Sequence, residues 1–263
     1  MKNVLITGVS KGIGRSIAEL FLENGYKICG TYFKDYELAK ELIVKYGSQK
    51  VKLFGPYDFT IKNNISCFIN EIKNEIFDNM IFNAGIFSDN DDFNNFDLSE
   101  FEKVMSCNFY SPLIISTGLK NSIKMGGSIV IVSSNDAYPG AFSSMSYSIS
   151  KSALISLMKC LSVNFGNLGV RVNSIAPGAI DTDMNTPEQM NIAPYFTPLS
   201  RAGTPRDIAN VVLFLASDNS SFINGENITI DGGYNIVSVL LKSEADSKLS
   251  ESLQDFIKFH NKR

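Results

Sequence analysis

Seven short apolar runs, each separated from the next by a segment with helical spacing, constrain this chain more than any other feature. They fall at 3–6, 26–31, 50–54, 80–82, 128–133, 170–175 and 227–230. In most of them apolar and polar residues do not alternate, which suits strands covered on both faces of a parallel sheet. Strand and helix segments that alternate in this way imply an α/β fold: a doubly wound parallel seven-stranded sheet with helices on both faces. Two helix starts are written locally. Ser99-Glu100-Phe101-Glu102 has capping-box spacing, and Thr204-Pro205-Arg206-Asp207 puts a capping residue before a first-turn proline. A chain of 263 residues can bury one large core without dividing. The reading is one domain over 1–238 and a C-terminal helical extension over 239–263.

The first run, Val4-Leu5-Ile6, leads into Thr7-Gly8-Val9-Ser10-Lys11-Gly12-Ile13-Gly14, and a helical pattern follows in Ile17, Ala18, Leu20, Phe21 and Leu22. This predicts strand, tight turn, helix. Gly8 allows the sharp turn, while Gly12 and Gly14 let a pyrophosphate and the sheet come close to the helix backbone. The phosphates would be held by the helix N-terminus. The spacing is Gly-x-x-x-Gly-x-Gly rather than the common Gly-x-Gly-x-x-Gly.

Tyr147 and Lys151 lie four residues apart, so on a helix both project from one face. A phenol beside an ammonium is an acid–base group that needs no histidine, and the sole histidine here is His260, near the end of the chain. Tyrosine ordinarily titrates near pH 10, and a fixed cation nearby is expected to lower that value.

Together these segments make the chain resemble the short-chain dehydrogenase/reductase family. Thr7-Gly8-x-x-x-Gly12-Ile13-Gly14 and Tyr147-x-x-x-Lys151 carry the likeness. Asn83-Ala84-Gly85, Asn108, Ser134 thirteen residues before Tyr147, Pro177-Gly178 and Asp231-Gly232-Gly233 follow in the family's order. The likeness spans about 2 to 234. It implies a Rossmann-like fold and hydride transfer between a nicotinamide and a carbonyl or secondary alcohol. Tyr147 would act as general acid/base, Lys151 would lower its pKa and hold the nicotinamide ribose, and Ser134 would bind the substrate oxygen. Asn108 would help anchor a water chain to Lys151. Ser133 is the rival for the serine role, although spacing favours Ser134.

The resemblance also implies cofactor contacts. Gly8, Gly12, Ile13 and Gly14 would line the diphosphate, with Ser10 of the same turn among the contacts. Asp58 would meet adenine, and Asn83 and Gly85 would flank the adenosine ribose, Asn83 also bracing the sheet. Pro177, Gly178, Ile180 and Thr182 would border the carboxamide. At the end of the second strand, where an acid would select NAD, this chain has Tyr32. Lys11 and Lys34 could pair with a 2′-phosphate, so NADP is favoured over NAD, although Asp35 and Glu37 are near enough to blunt the field.

The net charge of −3 and a pI near 5.3 argue against a nucleic-acid surface. Cys29, Cys67, Cys107 and Cys160 lack paired spacing, and buried free thiols in a reducing compartment are expected. No metal is expected. With no signal-peptide pattern and no membrane-length apolar stretch, the expectation is a soluble cytoplasmic protein. Asp89-Asn90-Asp91-Asp92 reads as an exposed loop, and 243–263 as a helix with Leu249, Leu253, Phe256 and Ile257 on one side, packed on its own domain or on a neighbouring subunit, or serving as a partner-binding or lid element.

A lid is expected over 183–201, carrying Met184, Met190, Ile192, Pro194, Tyr195, Phe196 and Leu199. With Pro139 and Phe142 these suggest a mostly apolar pocket wall. Three functions stay open. One is reduction of 3-oxoacyl thioesters on an acyl carrier protein, with Lys120 and Lys124 available for docking. The second is reduction or oxidation of a free sugar, sterol-like alcohol or secondary metabolite, and the third is a non-catalytic dinucleotide-binding relative. The resemblance further implies a homotetramer or homodimer; Ala153, Leu154, Leu157 and Met158 fit a packed helix face but fit a monomer core as well.

Overall fold

The computed structural model describes residues 1–88, 91, 93–94, 96–140, 144–238, 242 and 246–247. Among them, seven parallel strands form one sheet in the order β3-β2-β1-β4-β5-β6-β7. The strands are β1 (Asn3–Ile6), β2 (Lys27–Thr31), β3 (Val51–Phe54), β4 (Phe77–Phe82), β5 (Ile123–Val132), β6 (Arg171–Pro177) and β7 (Asn227–Ile230). The helices between them are α1 (Gly12–Glu23), α2 (Tyr36–Tyr46), α3 (Lys62–Ile72), α4 (Leu98–Met105), α5 (Ser111–Gly118), α6 (Met145–Phe165), α7 (Pro187–Phe196) and α8 (Pro205–Ala216).

The unbroken apolar runs have a direct cause. Successive residues of a strand face opposite sides of the sheet, and both sides are covered. On one face Val4, Ile6, Ile28, Val130 and Ile175 pack with Ile17 and Phe21 of α1 and Val212 and Leu215 of α8. On the other, Leu5, Met80, Ile129 and Ile131 pack with Phe68 of α3, Ile115 of α5, and Leu154, Leu157 and Met158 of α6. Those three α6 residues therefore belong to the core of one chain.

Several expectations are corrected. β4 and β5 start earlier than the apolar runs, at Phe77 and Ile123, because polar and glycine residues follow each start and the register shifts between Phe77 and Asn79. The cap of α4 is Asp97, whose carboxylate accepts from the Ser99 N–H at 2.8 Å. A carboxylate two residues before Ser99 starts the helix before the expected capping box. Thr204 does cap α8, in a reciprocal box with Asp207. Cys29 and Cys107 are buried, and burial pushes their thiols up to about 11 and about 12, but Cys67 and Cys160 are exposed. Asp91 is not exposed at all. Asp89, Asn90, Asp92, Phe142 and most of the 239–263 extension, including Leu249, Leu253, Phe256, Ile257 and His260, lie outside the described residues. Where the extension is described, it touches the lid: the Tyr195 hydroxyl of α7 donates to Asp246 Oδ2 at 2.6 Å, and Lys242 Nζ lies 4.3 Å from the Tyr195 ring centre. No helix among the described residues is long and apolar enough to cross a membrane.

Candidate active site

The strand order reverses direction between β1 and β4, which opens a crevice beyond their carboxyl ends. The glycine turn after β1 and the Asn83-Ala84-Gly85 segment after β4 flank it. Thr7 Oγ1 stitches the two together by accepting from the Asn83 and Ala84 N–H groups, both at 3.0 Å. The Asn83 amide donates to the Thr7 and Gly8 carbonyls, again at 3.0 Å. Asn83 thus braces the turn, and Thr31 adds a brace from β2 by accepting the Gly8 N–H at 2.9 Å. Thr7 stands in the motif, but its bracing role, and that of Thr31, was not read; a threonine at each strand end was the available signal.

At Gly14 the turn leaves no room for a side chain. A Cβ on Gly14 would lie 1.9 Å from the Gly8 carbonyl oxygen and 2.4 Å from the Asn83 amide nitrogen. Gly8 and Gly12 adopt φ of 74° and 58°, the left-handed region. α1 opens directly behind the turn, with no side-chain cap and no acidic residue in its first turn. Its leading N–H groups and dipole therefore suit an anion. Thr182 lies across from Gly12, within 3.5 Å of where a Cβ would stand. Pro177 ends β6, Gly178 follows it, and Ile180 bridges to Gly203. The glycine turn and the open N-terminus of α1 fit a dinucleotide diphosphate.

The rim residues carry mixed charge. Lys11 Nζ lies 3.5 Å from both Asp35 and Asp183, so Asp35 does answer the lysine of the turn. Lys34 is exposed, 5.4 Å from the Phe33 ring centre. Asp58 Oδ1 accepts from the Thr60 N–H and hydroxyl, which forms the turn into α3.

α6 carries Tyr147 and Lys151 to the crevice, and both are buried. Lys151 Nζ donates to the Val132 carbonyl at 2.9 Å and borders Gly85, where a Cβ would stand 3.5 Å away. Ser134 follows β5 and starts a single helical turn, its hydroxyl accepting from the Asp136 N–H at 3.1 Å. The Ser133 hydroxyl donates to the Lys151 carbonyl at 2.8 Å, a packing bond within the fold. Asn108 is buried in a π-helical turn, Ser106–Tyr110, between α4 and α5. The cause is Pro112, which has no N–H to give the Asn108 carbonyl four residues back. The Asn108 side chain bonds both polar groups of Ile86 and, at 3.0 Å, the Ser150 hydroxyl.

The electrostatics differ from expectation. The Tyr147 phenol lies above its ordinary value, pushed up to about 12 chiefly by burial, with the Ser134 hydroxyl pulling down and Asp136 pushing up. Burial pushes the Lys151 ammonium down to about 8. Removal from water is the largest cause of both shifts. Phe87 is an addition that the spacing did not suggest. Its ring meets that of Tyr147 edge-on, with centres 5.3 Å apart. An aromatic two residues after Asn83-Ala84-Gly85 was the available signal.

A glycine turn, a Tyr–Lys pair and a serine grouped at the switch point of a parallel sheet define a class of nucleotide-dependent oxidoreductases. The chain belongs to the short-chain dehydrogenase/reductase family, whose members act on CH–OH groups. The family model described as enoyl-(acyl carrier protein) reductase matches residues 8–235. The chain is 35% identical over 240 residues to the 3-oxoacyl-acyl-carrier-protein reductase FabG of Aquifex aeolicus, covering 87% of this chain and 95% of that protein. It is also 35% identical over 247 residues to a 3alpha-hydroxysteroid dehydrogenase of Mediterraneibacter gnavus, covering 88% and 96%. A short-chain dehydrogenase of Burkholderia cenocepacia, solved in complex with NADP, is similar with a TM-score of 0.83 at 27% identity over 89% of this chain and 98% of that one.

Proposed function

We propose that this chain is an NADPH-dependent reductase of free apolar ketones, with Tyr147 as the proton donor. The observation that carries the reading is the gathering of Tyr147, Lys151 and Ser134 beside the β1/β4 crevice, across from the glycine turn. When bound, NADPH supplies the hydride. The chain's own residues orient the carbonyl and manage the proton. The Ser134 hydroxyl donates to the substrate oxygen. Tyr147 stays protonated because it is buried, which suits a donor to a developing alkoxide. Lys151, still largely charged at neutral pH, holds the ribose and restores the proton through the path that Asn108 anchors.

Gly8, Ser10, Gly12, Ile13 and Gly14 hold the diphosphate, and Asp58, Asn83 and Gly85 the adenosine side. Pro177, Gly178, Ile180 and Thr182 border the carboxamide. Lys11 and Lys34 favour NADP over NAD, and the NADP held by the Burkholderia relative supports that choice. An apolar substrate is favoured by Phe87 beside the phenol and by the half-exposed lid residues Met184, Ile192, Tyr195 and Leu199. The thioester reading is weaker because Lys124 is already paired with Asp78 at 2.7 Å. By resemblance we place the protein in the cytoplasm as a homodimer or homotetramer, which sedimentation would check.

The test is turnover with NADPH of a panel that sets bulky apolar ketones and sugars against an acetoacetyl thioester mimic. Ketone reduction that is lost in Tyr147→Phe is expected. Turnover of the thioester alone would move the protein to the carrier-protein class, and equal activity in Tyr147→Phe would remove the tyrosine from the chemistry.

A further inference from the structure

Helix α6, which carries the reacting pair, has no cap of its own. Ser144 stands in the capping position in the left-handed region, φ 61°, and its side chain makes no capping bond. The first N–H groups of a helix have no partner within it. One of them is satisfied from a distant loop: Asp91 Oδ2 accepts the Ser146 N–H at 2.5 Å. Ser146 is the second residue of α6 and directly precedes Tyr147. Asp91 and Ser146 are fully buried. A carboxylate there is favoured by the helix dipole.

The joint is also strained in its polar groups. Among the described residues, Asp91 Oδ1 and Ser146 Oγ are both buried without a hydrogen-bond partner. Unpaired buried groups are costly, and each calls for a reason. The same loop touches the reacting pair at two further points and Asn108 at a third. Gly85 borders Lys151 Nζ, Ile86 holds both ends of the Asn108 side chain, and Phe87 meets the Tyr147 ring. Asp91 is the far anchor of that grip.

We propose that Asp91 is a positioning residue for Tyr147: by capping α6 from the loop after β4, it fixes the helix's first turn and so the placement of the phenol. The proposal rests on the reading of Tyr147 as proton donor. It acts on turnover more than on cofactor binding, because the glycine turn and α1 lie across the crevice and Lys151, a turn further along α6, keeps its own bond to the Val132 carbonyl.

Asp91→Ala and Asp91→Asn are to be compared with the wild type and Tyr147→Phe on a reduced ketone, with NADPH affinity measured separately by fluorescence. In Asp91→Ala, kcat is expected to fall roughly tenfold to a hundredfold, the scale of a misplaced reacting group. NADPH affinity should stay within about twofold, a split that general loosening of the fold would not produce. Asp91→Asn keeps an oxygen for the Ser146 N–H and should recover kcat to within about threefold. If the alanine variant does not fold, the asparagine variant carries the test, and a tenfold loss in it overturns the proposal. So does an Asp91→Ala kcat equal to wild type, or a loss of kcat matched by a loss of NADPH affinity. An inactive Tyr147→Phe beside an unaffected Asp91→Ala removes this proposal alone, whereas an active Tyr147→Phe removes the functional reading with it.

Discussion

Lys151 Nζ donates to the main-chain carbonyl of Val132 at 2.9 Å, so the ammonium of α6 is anchored on the last residue of β5. That bond offsets part of the cost of burying the charge, yet the ammonium is still held down at about 8. An unfolded lysine titrates near pH 10.4. Between those values the unfolded chain binds more protons than the folded one, so stability rises with pH across the window. The penalty is fully present below about pH 8 and gone above about pH 10.4. Urea unfolding of the wild type and of Lys151→Met should show the wild type gaining on the variant by roughly 1 kcal/mol per pH unit within it. A difference that stays flat would mean that the buried ammonium does not titrate there.

Tyr147→Phe keeps the ring and its contact with Phe87 but loses the proton. The expected result is a fall in kcat of about a hundredfold to ten-thousandfold. NADPH affinity and the melting temperature should change little, since the buried ring is retained. Stopped-flow single turnovers would show whether the lost rate lies in the chemical step.

Gly14→Ala sets a methyl 1.9 Å from the Gly8 carbonyl oxygen, which backbone cannot absorb cheaply. We expect destabilisation of about 1–3 kcal/mol or more, with NADPH binding lost. Gly166→Ala is the matched control: nothing stands within 4 Å of its Cβ, and its φ of −59° is open to any residue. That change should be neutral or stabilise by about 0.4–1 kcal/mol. Thermal melts with and without NADPH distinguish the two.

The Lys11–Asp35 pair predicts how cofactor choice can be tuned. Wild type should show a lower KM for NADPH than for NADH. Asp35→Asn frees Lys11 from one of its two carboxylates and should lower the NADPH KM further, most at low salt because both groups are partly exposed. Equal or better use of NADH by the wild type would reverse the assignment.

Much of this protein was legible residue by residue. A strand buried on both faces has to be apolar at consecutive positions, so the β1 run at 3–6 was readable to the residue. Thr204 before Pro205 marks a helix start because the capping bond is local. The glycine turn and the Tyr147–Lys151 spacing could be read because their geometry closes within a few residues. The ends of β4 and β5 could not, since Phe77 and Ile123 are strand residues by virtue of each other rather than of their neighbours in the chain.

What tertiary structure alone decided is everything that depends on which atoms lose water and which distant groups meet. The titration of Tyr147 runs opposite to expectation because burial, invisible in a four-residue spacing, exceeds the downward pull of the Ser134 hydroxyl. The engagement of the Ser133 hydroxyl turns on where the Lys151 carbonyl lies. Asp91, read as a loop residue on the surface, caps a helix that starts 54 residues later. Local sequence dictates the elements and the chemical groups they carry. Desolvation and long-range hydrogen bonds, which exist only once the sheet has closed, decide what those groups can do.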